Sequence, residues 1–138
     1  MSSEILLTTL NAKYQHTSFG LRYLKANLGD LVSQCEIIES DINRPPQEVA
    51  QKLLQLNPKI IGVGIYIWNV QESIRLLSII RSLRPDILIV LGGPEVSYET
   101  ETHPIFSLCD YVVTGEADLS FPLLLRQLIA GDRPASKI

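Results

Sequence analysis

The chain has 138 residues, of which 46% are hydrophobic and 20% charged, and a net charge of -3, the proportions of one globular domain. No apolar run approaches the roughly 18 residues that a membrane span needs, and the basic residues are scattered, leaving no cationic footprint for nucleic acid. Met1–Glu4 carries no basic segment and leads straight into an apolar run, so the amino terminus reads as a first strand and not a signal peptide, with the cytoplasm as the expected compartment.

In chain order, Ile5–Leu10 is a short apolar run suited to a buried strand, followed by the polar stretch Asn11–His16. Leu21, Leu24, Leu28 and Val32 then recur at helical spacing, with Arg22 and Lys25 on another face. Cys35 precedes a second short strand, Glu36–Glu39. Pro45 and Pro46 punctuate a helix start whose apolar stripe is Val49, Leu53 and Leu56. Ile60–Ile67 is β-branched and nearly free of charge, as a central parallel strand covered on both faces should be. Asn69 with Glu72 forms an asparagine version of a capping box, and Val70, Ile74 and Leu77 carry that helix on. Ile87–Leu91 is the fourth strand and Asp110–Thr114 the fifth. Phe121, Leu124, Leu125 and Leu128 mark a closing helix that ends at Gly131.

Five strands alternating with helices predict an α/β fold: a single doubly wound, five-stranded parallel sheet of order 2-1-3-4-5, flavodoxin-like and Rossmann-like, in three α/β/α layers. Residues 1–131 form the domain, and 132–138 read as the start of a linker to an absent domain. Cys35 and Cys109 belong to no close-spaced pair, which argues against a disulfide framework, a zinc site or an iron–sulfur cluster made by this chain alone. Both are expected as buried thiols.

Ligands of such sheets lie at the carboxyl ends of the strands, near the point where the strand order reverses. The loop after strand one, Asn11–Gly20, offers Thr17 or Ser18 as a helix cap that leaves the first amides facing outward. After strand three, Tyr66, Trp68 and Asn69 place two aromatics at the edge, either as core rim or as a platform for a flat ligand. Strand four runs into Gly92-Gly93-Pro94-Glu95, whose glycines permit a tight turn or the close approach of another molecule to the backbone. Strand five runs into Thr114-Gly115-Glu116-Ala117-Asp118, where Asp118 can cap a helix. Converging on one edge, these loops describe a crevice floored by backbone and walled by aromatic and polar groups.

Three segments, Ile5–Leu24, Val90–Glu99 and Val112–Asp118, resemble the amino-terminal cobalamin-binding domain of radical S-adenosylmethionine proteins, among them those called anaerobic magnesium-protoporphyrin IX monomethyl ester oxidative cyclases. The resemblance implies a non-catalytic cobalamin module that serves a downstream radical S-adenosylmethionine domain, where the 4Fe–4S cluster and S-adenosylmethionine would reside, in an oxidative cyclase or a methyltransferase. It implies that the nucleotide tail enters near Gly92 and Gly93 while the corrin lies across the loops after strands one, three and five. The wider family's Asp-x-His-x-x-Gly motif is displaced here: with His16 as its histidine, Tyr14 stands at the aspartate, Phe19 at the glycine, and Gly20 one residue late. Without the carboxylate that orients a metal-bound histidine, His16 is expected to face solvent or cap a helix and not to ligate cobalt. Gly115-Glu116-Ala117-Asp118 likewise replaces Gly-Glu-Gly-Glu.

Other occupants of the fold fit less well. A receiver domain needs acidic residues after strand one and an aspartate closing strand three, where this chain has Asn11 and Tyr66–Trp68. Asn11-Ala-Lys-Tyr14 is not the hydroxyl-rich phosphate loop of a flavodoxin, and Gly62-x-Gly64 lies inside a strand, where it cannot serve as a dinucleotide fingerprint. The alternative to a cofactor module is a cofactor-free α/β interaction domain.

Overall fold

The computed structural model describes residues 4–11, 25–26, 28–65, 69–92, 104–113 and 117–134. The strands are β1 (Ile5–Asn11), β2 (Cys35–Asp41), β3 (Ile60–Gly64), β4 (Leu88–Gly92) and β5 (Tyr111–Val112); the helices are α1 (Pro46–Leu54), α2 (Val70–Leu83) and α3 (Ala117–Ile129). All four pairings are parallel and the order is β2-β1-β3-β4-β5, as the alternating sequence pattern predicts. Among the described residues no helix is long and apolar enough to cross a membrane.

Alternation along the strands builds two cores. Leu6, Leu10, Ile61, Val63, Ile89 and Leu91 face α1 and α2, meeting Val49 and Leu53 of the first and Leu76, Leu77 and Ile80 of the second. Ile5, Leu7, Cys35, Ile60, Val90 and Tyr111 face α3, meeting Phe121, Leu125 and Leu128. Each fully buried aliphatic side chain contributes about 1.5–3 kcal/mol.

Several boundaries differ from the sequence expectation, each for a local reason. The stripe expected to run from Leu21 to Val32 is broken: Gly29 has a φ of 62° and a 3₁₀ turn follows at Gly29–Gln34, so Leu28 and Leu31 are buried while Val32 is 41% exposed. β2 extends over Cys35–Asp41, beyond Glu36–Glu39, because β1 supplies partners throughout. β5 is described over Tyr111–Val112, inside the expected Asp110–Thr114, of which Thr114 lies outside the described residues; just before it the Asp110 amide donates to Ile89 O at 2.8 Å while its carboxylate pairs with the Arg81 guanidinium and accepts the Ile89 amide at 2.8 Å. Arg81 also donates to the carbonyls of Leu108 and Ile87 at 3.0 and 2.9 Å, tying α2 to the amino ends of β4 and β5.

α1 begins as its prolines require, with Pro46 at the first turn and the Pro45 carbonyl accepting the amides of Glu48 and Val49. Leu56 lies past the end of α1 yet packs on the core. α3 ends in a Schellman motif: Gly131 has a φ of 95°, its amide donates to Leu128 O at 3.2 Å, and Asp132 N donates to Gln127 O at 2.9 Å. The chain beyond folds back, and the Tyr111 hydroxyl donates to Pro134 O at 3.2 Å. Cys35 and Cys109 are buried, as expected, and Cys109 Sγ donates to Phe106 O at 3.3 Å.

Gly62 is required by packing. A Cβ there would stand 2.9 Å from Leu7 Cδ2 and 3.1 Å from Phe121 Cζ. Gly62→Ala is therefore expected to cost about 1–3 kcal/mol by overpacking, read as a lower urea midpoint, with Phe121→Leu in the same chain recovering part of the loss. Burial also pushes the Cys35 thiol up to about 11 from its ordinary 9.0, against the opposing charge of Lys25. The fold favours the neutral thiol, so this contribution is complete below about 9 and is lost as pH rises through about 11. The urea midpoint should fall more steeply between pH 8 and 11 in the native chain than in Cys35→Ala.

Candidate functional site

The strand order reverses between β1 and β3, and the described edge of the crevice is built around this switch. The β1–β3 ladder ends at the pair Thr9–Gly64, and Gly64 pairs in turn with Gly92. Thr9, Gly64 and Gly92 thus form one row across the three central strands. They lie on the α3 face, because each stands two residues beyond Leu7, Gly62 and Val90, which line it. The β3–β4 ladder closes at the same row, with Ile65 N donating to Gly92 O at 2.8 Å.

Gly92 differs from Gly62 in what its missing side chain leaves open. A Cβ at Gly92 would approach Val113 O at 3.9 Å among the described neighbours, an ordinary contact, and the residue is half-buried at the carboxyl edge. Packing among the described residues thus does not account for this glycine. A bare, partly open backbone beside a second glycine strand fits a group that must come close to the sheet, which is the demand that the expected nucleotide tail makes.

Asn69 is placed at the mouth but serves the protein's own backbone. It opens α2, as expected, yet makes no side-chain capping bond, and Glu72 pairs with Arg75 at 3.7 Å, so the predicted capping box does not form. Its Nδ2 donates instead to Leu10 O at 3.0 Å, Thr9 Oγ1 at 3.1 Å and Gly64 O at 3.3 Å. Thr9 Oγ1 donates to Gly64 O at 2.8 Å, and Thr8 Oγ1 to Ile38 O. The hydroxyls of Ser40, at the end of β2, and Ser73, in the first turn of α2, are buried without a partner among the described residues. Sequence reasoning missed Thr9, Ser40 and Ser73, because a lone hydroxyl in a strand or helix has no periodicity to mark it.

Of the residues expected at the site, the backbone of Asn11 closes β1 opposite Asp41, and Asn69 and Gly92 stand as described. His16, Thr17, Ser18, Tyr66, Trp68, Gly93, Pro94, Glu95, Thr114, Gly115 and Glu116 lie outside the described residues. All belong to loops that leave the carboxyl ends of β1, β3, β4 and β5.

The family described as B12 binding domain matches residues 5–125. Among curated proteins the chain is 28% identical over 85 residues to the cobalamin-dependent radical SAM methyltransferase TokK of Streptomyces tokunonensis. It is 28% identical over 82 residues to the 2-(S-pantetheinyl)-carbapenam-3-carboxylate methyltransferase of Streptantibioticus cattleyicolor. These matches cover 59% and 56% of this chain but 12% of each relative.

Solved structures share the fold. A cobalamin-binding protein from Desulfitobacterium hafniense has a TM-score of 0.65 at 16% identity, over 91% of this chain and 58% of that one. The cobalamin-dependent S-adenosylmethionine radical enzyme OxsB with aqua-cobalamin and S-adenosylmethionine bound has a TM-score of 0.71 at 14% identity, over 97% of this chain and 20% of that one. The receiver domain of RcsB from Salmonella enterica serovar Typhimurium has a TM-score of 0.62 at 13% identity, over 96% of this chain and 94% of that one.

Because Gly92 meets no close neighbour among the described residues, Gly92→Ala should leave the stability of the ligand-free chain, read from its urea midpoint, unchanged or raised by at most about 1 kcal/mol, in contrast to the loss expected at Gly62.

Proposed function

The chain belongs to the B12 binding domain family, and on that premise we propose that it holds cobalamin at the carboxyl edge of its sheet and presents the corrin to a radical S-adenosylmethionine domain of the same polypeptide. The observation that carries this reading is the open glycine edge at Gly92, which nothing in the protein's own described packing requires. In this reading the backbone of Gly92 and Gly93, with Pro94 and Glu95 beside it, receives the nucleotide tail. Asn11, His16, Thr17 and Ser18 approach the corrin from the β1 loop, Tyr66 and Trp68 from the β3 loop, and Thr114, Gly115 and Glu116 from the β5 loop. Asn69 acts from beneath.

The partner domain would carry the 4Fe–4S cluster and bind S-adenosylmethionine, and cobalamin would bring cobalt-centred chemistry that amino-acid side chains cannot supply. That the chain spans 12% of its curated relatives supports a fused partner. Both of those relatives are methyltransferases, which favours methyl transfer as the reaction of the whole protein; the oxidative-cyclase resemblance of the three quoted segments supports ring formation as the second reading. The expected setting is the cytoplasm.

Titration with aquocobalamin tests the site. The native chain should show a corrin spectrum that survives gel filtration, and Gly93→Val should fold but bind at least ten-fold more weakly, since its side chain would stand in the path of the tail. Electron paramagnetic resonance of the reduced cobalt(II) form should show no nitrogen splitting that His16→Ala removes. A folded chain that takes up no corrin would instead be a cofactor-free α/β interaction domain.

A further inference from the structure

A residue that opens a helix ordinarily turns its side chain back onto the first amides. Asn69 turns away from them, into the split between β1 and β3. The β1–β3 ladder ends at the Thr9–Gly64 pair, while β3 stays paired with β4 there through the Ile65 amide, which donates to Gly92 O. The carbonyls of Leu10 and Gly64 stand at that end of the ladder, beside the gap left among the described residues where the β1–β3 pairing stops. The Asn69 amide fills that gap, with Thr9 Oγ1 held between it and Gly64 O. Asn69 is 0% exposed and Thr9 1%, so neither presents a free surface to a ligand.

We propose that Asn69, together with Thr9, is a positioning residue for the cofactor: it fixes the spacing at which the loops after β1 and β3 leave the sheet, and so the placement of groups that meet the corrin. The proposal rests on the cobalamin reading above. The needed property is a donor of this size. An amide brings two N–H groups to the three oxygens; an aspartate would set negative charge against them, and an alanine would leave the Leu10 carbonyl unpaired in the gap. The Asn69 carbonyl meanwhile accepts the Ser73 amide at 2.9 Å, so the same residue anchors α2.

Aquocobalamin titrations of Asn69→Ala, Thr9→Val and Thr9→Ser, each with its urea midpoint, test this against Leu77→Ala, a buried change on α2 about two turns further from the mouth. Asn69→Ala and Thr9→Val should weaken binding at least ten-fold more than Leu77→Ala does, while Thr9→Ser, which keeps the hydroxyl, stays within two-fold of the native chain. Fluorescence anisotropy of Trp68, the single tryptophan and the neighbour of Asn69 in the chain, should fall in Asn69→Ala and Thr9→Val without any ligand and stay unchanged in Leu77→Ala. Affinity losses no greater than that of Leu77→Ala would overturn the proposal. Should Asn69→Ala not fold, the contrast between Thr9→Val and Thr9→Ser decides alone. If the native chain takes up no cobalamin, the cofactor reading falls. The Trp68 signal then decides whether Asn69 sets the loop, and an unchanged anisotropy in both variants overturns that as well.

Discussion

β1 is hydrogen-bonded along both edges, to β2 on one side and β3 on the other, and the rest of the molecule follows from that constraint. The same strand is covered on both faces, by α1 and α2 on one and α3 on the other, so it tolerates only apolar or self-satisfying side chains, and Thr8 and Thr9 comply by returning their hydroxyls to the carbonyls of Ile38 and Gly64. It also forces the chain to leave β1 in one direction and return on its other side, which creates the divergence at the carboxyl end. The crevice is thus a consequence of pairing, present before any side chain is chosen to line it.

The two ends of the sheet are held differently. At the amino ends Arg81 and Asp110 bind carbonyl, carboxylate and amide groups of α2, β4 and β5 into one charged cluster. At the carboxyl ends the fastening is neutral and comes from Asn69 and Thr9. The two faces differ as well. Branched aliphatics fill the face under α1 and α2, whereas the face under α3 has glycine at 62, 64 and 92 along the central strands, with Phe121 packed over the first of them. Gly62 is closely packed, whereas Gly92, at the carboxyl edge, is free of close described neighbours.

Most of the architecture was legible in the sequence because burial leaves a periodic trace. The β-branched run from Ile60 and the stripe of Val70, Ile74 and Leu77 state strand and helix directly, and their alternation leads to the observed order. What was not legible depends on single residues whose effect is geometric. Gly29 redirects the chain through a positive φ, and Val32 is left outside although its spacing fits the stripe. Asn69 carries the sequence signature of a cap, but its Nδ2 is drawn to the carbonyls of Leu10 and Gly64 at the end of the β1–β3 ladder, and that attraction is invisible until β1 and β3 are known to end their pairing there. Gly62 and Gly92 look alike in sequence; one is explained by Phe121 and the other by nothing within the described packing.

The likeness to a receiver domain, nearly as close as that to cobalamin-binding proteins, shows why the fold alone does not settle function. The distinction lies in the charge of the mouth. A phosphoacceptor site must hold a divalent cation and a developing anion, which calls for carboxylates at the ends of the central strands. The described mouth around β1, β3 and β4 consists of Thr9, Leu10, Gly64, Ile65, Asn69 and Gly92, with no ionisable side chain among them. Among these described residues Asn69 and Thr9 are buried and spent on the protein's own backbone, and it is the half-buried Gly92 backbone that stands free of close described neighbours at this edge.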